Sequence, residues 1–257
     1  MKYTPKFFSD NLPAWKRKKD PILSRIFYRP ASFVTASLFS SAGIGANEVS
    51  YFSAFVAIAA CLMFLPNSFA LNLTGAILIN VWLLLDCTDG NMARSVRKQL
   101  FGEFADGISS YILVALMCTC MGVCAYNTGG VLVDKGCIWI VLAGALASSA
   151  DTLMRLIYQK FNAEYNKHVK QGILPELEDK RTDHSQVGSL RVRIESELGV
   201  GGLLPLAILL SVIFGFVDLI VLYCLLYYGG FCLIASAMYI RKAIKISKTH
   251  DKEQKNG

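Results

Sequence analysis

No Cys-x-x-Cys pair, internal repeat or low-complexity tract occurs in the 257 residues. The eight cysteines (61, 87, 118, 120, 124, 137, 224 and 232) therefore show no paired-ligand spacing, and most fall inside apolar runs. Buried free thiols are expected, with a metal cluster of Cys118, Cys120 and Cys124 as the alternative. A concentrated basic groove is also missing. The formal net charge is +7, but Lys and Arg sit at the two ends and between apolar runs. That distribution points away from nucleic acid and toward anionic lipid headgroups and anionic substrates. The first long apolar run begins near Val49, behind a charged stretch of more than forty residues. A cleavable signal peptide is therefore not expected.

What is present is apolar surface. Hydrophobic residues make up 54% of the chain and the mean hydropathy is +0.43, too apolar for a typical soluble domain. The expected fold is an all-α integral membrane protein with six transmembrane helices, roughly 48–65, 70–94, 103–125, 133–158, 199–216 and 218–240, each long enough to cross about 30 Å of hydrocarbon. Residues 1–46 form an N-terminal segment, 47–245 the six-helix domain and 246–257 a disordered tail. Aromatic and basic residues at 1–19 suit the headgroup region. Ile22, Leu23, Ile26 and Phe27 form a short stripe that either lies in the interface or packs on the protein. Pro30 is expected to break this helix, 31–42 to form another ending at Gly43, and Asn47 with Ser50 to cap the first span. Gly199, Gly201, Gly202, Gly229 and Gly230 are expected to permit close helix contacts.

Lys and Arg number eight in residues 1–46, three at 94–98, seven in 159–198 and six after Ile240, while the opposite connections hold only Lys135. The positive-inside rule then puts both termini and the 94–98 turn in the cytoplasm, here of a bacterial inner membrane. The 159–198 connection reads as a solvated surface with a helix near Ser189–Glu197. Asn72, in an Asn-Leu-Thr triplet, lies too close to a helix start to count as a glycosylation site.

The chemistry is concentrated between Asp86 and Ser110. In a helix, Asp86, Asp89, Gly90 and Ala93 share one face, and Gly102, Asp106 and Ser110 share another. Two neighbouring helices joined by the turn at Arg97 and Lys98 can thus present three carboxylates to a common point. Ionised acids in apolar segments are costly without a partner, so a cation is expected, and hard oxygen ligands suit Mg²⁺, Mn²⁺ or Ca²⁺. Arg94 supplies a planar cation for phosphate. The pattern suggests metal-assisted work on a phosphorylated substrate at the membrane surface.

These residues resemble the signature of the CDP-alcohol phosphatidyltransferase family, D-x-x-D-G-x-x-A-R, a spacer of seven or eight, then G-x-x-x-D-x-x-x-D. Asp86, Asp89, Gly90, Ala93, Arg94, Gly102 and Asp106 match with a seven-residue spacer, and Ser110 stands where the last acid is usual. GIGANEVSYFS also resembles the start of the family's first span, with Ala46 in place of the usual Pro. The resemblance implies that Asp86, Asp89 and Asp106 hold Mg²⁺ or Mn²⁺, that Gly90, Ala93 and Gly102 let the cytidine nucleotide approach, and that Arg94 contacts the donor phosphates. It further implies a homodimer. The activity implied is transfer of a phosphoalcohol or phosphatidyl group from a CDP-linked donor (CDP-diacylglycerol or a CDP-alcohol) to a lipid or small-alcohol acceptor, with release of CMP.

The resemblance assigns to position 110 the carboxylate for a second metal and for deprotonating the acceptor; a serine hydroxyl can ligate Mg²⁺ but cannot accept a proton as a carboxylate does. Either another acid such as Glu103 or Asp151 substitutes, or the acceptor arrives already anionic, or turnover is lost and the protein only binds nucleotide, lipid or metal. Asp151 and Arg155, four apart, read as an internal ion pair or an anionic-acceptor site. A transporter is a further alternative, although the acids cluster at one membrane face.

Overall fold

Hydrophobic runs become helices throughout, because in lipid a backbone must satisfy its own hydrogen bonds. The computed structural model describes the backbone of residues 3–176 and 196–256, and no strand occurs among them. Two short helices, α1 (Pro5–Asp10) and α2 (Ala14–Lys19), precede a π-helical turn, Ser24–Tyr28, that runs into α3 (Arg29–Ser41). Then come α4 (Ala46–Leu62), α5 (Phe69–Ser95), α6 (Gly102–Thr128), α7 (Ile138–Lys170), α8 (Leu204–Phe214) and α9 (Val217–Asn256).

This is an all-α membrane fold, but the spans are not six equal ones. Among the described residues, four helices are long and apolar enough to cross a bilayer: α5, α6, α7 and α9 up to Thr249. The expected first span is the 17-residue α4, bent by 119° from the Ser24–Ser41 rod, and this pair counts as a span only if taken together. The expected fifth is α8, whose 11 residues reach about 16 Å. Helix α9 also runs on to Asn256, through the residues expected to form a disordered tail.

Pro30 does not break the rod. It occupies the first turn of α3, where no N–H is needed, and follows directly on the π turn. Ile22, Ile26 and Phe27 point outward while Leu23 packs on the core, so most of the stripe faces the surroundings. Helix α4 is capped not by Asn47 but by Glu48, whose carboxylate accepts from Gly45 N. The Ser189–Glu197 helix lies almost wholly outside the described residues.

One core runs through the bundle, built on Trp82, Leu113, Met117, Met121, Ile140 and Ile208. A second, around Phe8, Ala36, Val49, Leu85 and Met92, fastens the N-terminal helices to α4 and α5. All cysteines are free, and all but Cys137 are buried. Asn72 is buried in α5. Close helix crossings rest on other glycines than expected. A Cβ on Gly75 would lie 2.8 Å from Ala60 O, one on Gly122 2.8 Å from Ile140 O, and one on Gly144 against Cys118 O. Gly201 and Gly230 have nothing within 4 Å, and Gly229 meets only Leu225 of its own helix.

Candidate active site

The last turns of α5 and the first turns of α6 carry the motif, and the connection between them is pinned to α4. Asn47 N donates to Gln99 Oε1 at 2.9 Å, and Asn47 Nδ2 to Leu100 O at 2.8 Å. Phe101, at the junction, adopts φ +59°, a left-handed conformation rare for a bulky residue. That turn aims the two motif helices at one cavity of about 280 Å³, whose wall includes Asp86, Asp89, Asp106, Gly90, Ala93, Arg94 and Gly102. All seven matched positions therefore share one space.

Within it the acids differ. Asp89 is 4% exposed and accepts from Ser50 Oγ at 2.5 Å, Asp86 is half-buried, and Asp106 lies open at the mouth. Among the described residues, no three His, Cys, Asp or Glu side chains form an assembled metal cage. The donor set nevertheless fits a hard divalent cation: three carboxylates on one polar wall, with no sulfur or imidazole among the residues lining it.

Packing does not explain the glycines. A Cβ on Gly102 would meet only Asn47 Oδ1, at 3.5 Å, and one on Gly90 would meet the Arg94 guanidinium at 3.0 Å. Arg94 thus folds back over Gly90 and donates to Asn91 Oδ1 at 3.2 Å. Glu103 lines the same cavity as the three aspartates. Ser110 does not: its hydroxyl turns back to Gly107 O at 3.1 Å, and it lines neither this cavity nor its neighbour.

That neighbour holds about 430 Å³ and shares Lys16, Arg29 and Asp86 with the first. Asp151, Arg155, Tyr227, Tyr228 and Phe231 form its far wall. The expected Asp151–Arg155 pair is present, Arg155 Nε donating to Asp151 Oδ2 at 2.6 Å. Between the cavities stands a network that sequence reasoning missed. Arg29 grips Asp20 with two bonds of 2.9 Å and donates to Asn91 Oδ1 at 3.0 Å, while Lys16 Nζ lies 3.2 Å from Asp20. Asp20 and Arg29 are buried, so this is a desolvated pair rather than a surface one. Burial lowers the Lys16 pKa from its ordinary value, partly offset by Asp20. Nothing in the linear order of residues 16–29 signals that they return to the motif. Ser50 carried a weak signal, as a hydroxyl near the α4 start.

The model of the family described as CDP-alcohol phosphatidyltransferase matches residues 44–190. No curated protein matches the chain.

Proposed function

This chain belongs to the CDP-alcohol phosphatidyltransferase family, and on that premise we propose that it transfers a phosphoalcohol or phosphatidyl group from a CDP-linked donor to an alcohol, releasing CMP. Membership itself implies CDP-alcohol phosphotransfer in lipid biosynthesis by a multi-pass membrane protein. The observation that carries the finer reading is the convergence of all seven matched positions on one cavity that opens beside a second.

In this reading the 280 Å³ cavity takes the donor. Asp86, Asp89 and Asp106 hold Mg²⁺ or Mn²⁺, which when bound neutralises the diphosphate. Gly90 and Gly102 leave the backbone open to the nucleotide, since neither position is filled by a neighbour's backbone. Arg94 lies over Gly90 within reach of an incoming phosphate and meets charge building on the CMP leaving group. Ser50 holds the Asp89 carboxylate in one orientation. The 430 Å³ cavity takes the acceptor, which reaches the donor at Asp86, the acid common to both. The site faces the cytoplasm, as the charge distribution suggests, and the homodimer rests on the resemblance alone.

The test is CMP release by purified protein with Mg²⁺, offered CDP-diacylglycerol, CDP-ethanolamine, CDP-choline and CDP-glycerol with polyol, amino-alcohol and diacylglycerol acceptors. One donor class supporting release is expected, which also tells whether the lipid or the headgroup carries the nucleotide. The placement of Ser110 outside both cavities favours a second reading, a protein that binds nucleotide without turnover. CMP binding with no release from any pair would establish it.

A further inference from the structure

We propose that Asp151 of α7 is the general base of the transfer, accepting the proton that Ser110 is unable to take. The inference rests on the CDP-dependent reading above. Three acids line the cavity assigned to the acceptor: Asp20, Asp86 and Asp151. Asp20 is occupied by Lys16 and by Arg29, whose Nε and Nη2 donate to its two carboxylate oxygens. Asp86 belongs to the motif triad. Asp151 remains, 2% exposed on an apolar helix, a costly place for an acid without a task. Its Oδ2 is bonded to Arg155, whereas Oδ1 accepts no hydrogen bond from any described residue.

Arg155 stacks over the Tyr111 ring, 5.1 Å from its centre, which puts the cationic end of the pair opposite the residue next to Ser110, while Asp151 lies one turn further along α7, toward the Thr119–Ser148 contact. An independent sign of a polar ligand comes from Tyr228. It is 5% exposed, lines the same cavity, and its hydroxyl finds no partner among the described residues. A buried hydroxyl left open this way fits an acceptor carrying hydroxyl groups. Glu103, the other acid considered as a substitute for position 110, lines only the cavity assigned to the donor and is exposed near its mouth.

In the step itself, the acceptor hydroxyl oxygen attacks the phosphorus distal to cytidine and a new P–O bond forms. The bond from that phosphorus to the bridging oxygen breaks, and CMP leaves with the electron pair. The hydroxyl proton passes to Asp151 Oδ1 and from there to water.

With the donor and acceptor found above, Asp151→Asn is expected to lower kcat at least about 100-fold, in the range of general-base losses. KM for the donor should stay within about threefold and CMP binding by calorimetry should persist. Adding Ser110→Asp to Asp151→Asn should recover at least about tenfold, which a structural role for Asp151 would not allow. Retained kcat in Asp151→Asn, or no recovery in the double variant, overturns the proposal. If Asp151→Asn does not fold, Ser110→Asp alone decides. A rate within about threefold of wild type supports an existing base, and a gain above about tenfold shows that none was present. Release that depends on Asp89 but not Asp151 sinks the base alone. Absence of release from every pair, or release unaffected by Asp89→Asn, removes the parent reading and the base together.

Discussion

Asp20 and Arg29 illustrate how much of the site hangs on single residues. Both are buried, and Arg29 also reaches Asn91 on α5 beside Asp89. Removing one partner of a buried pair strands the other charge. Asp20→Ala is therefore expected to cost about 3 kcal/mol, read as a lower melting temperature in detergent. Lys16 gives a pH signature. Its folded pKa lies below the ordinary 10.5, so between the two values the unfolded chain binds the extra proton and stability rises with pH. Below that window the charged, half-buried Lys16 is a constant cost, and Lys16→Met should flatten the slope in melting curves taken up to pH 10.5. In the cavity proposed for the donor, Gly90→Ala should push Arg94 aside and raise the donor KM about tenfold with unchanged melting, for the atoms nearest an added Cβ belong to the guanidinium, a flexible side-chain end. The motif acids were legible because their spacing is local. The Lys16–Asp20–Arg29 network was not, since it depends on a chain return of about sixty residues, from Arg29 to Asn91.

At the scale of the helices, apolar runs located every long element, while their ends and contacts followed from details that periodicity does not carry. Pro30 reads as a stop, yet it falls in a first turn where proline costs nothing. Asn47 reads as a cap, yet Glu48 caps α4 and the Asn47 side chain instead holds the Leu100 carbonyl. Glycine pairs near 200 and 230 read as crossings, yet Gly75, Gly122 and Gly144 make them, because contact depends on which face meets a neighbour. Gly144→Val should cost about 2 kcal/mol by driving α7 off the Cys118 carbonyl. Gly230→Ala, which enters open space, should be neutral or gain about 0.5 kcal/mol. Paired melting curves would separate the two.

For the whole molecule, length and composition indicated an all-α membrane protein but not the shortness of α4 and α8, since hydropathy marks apolar residues and not where a helix bends or ends. Neither could it reveal two cavities meeting at Asp86, because the far wall comes from α7 and α9, more than forty residues beyond the motif. The charge distribution predicts that Lys98 and Lys135 lie on opposite sides of the membrane. Cysteines placed at 98 and 135 should react with an impermeant maleimide from the cytoplasmic and opposite faces respectively, and labelling of both from one face would refute the orientation. The central claim is that Asp86, Asp89 and Asp106 act together on a CDP-linked donor. Its most direct test is CMP release by wild type and Asp89→Asn, each with and without Mg²⁺. Release that needs Mg²⁺ and falls at least about 100-fold in the variant is the predicted result, and equal release by both proteins would contradict it.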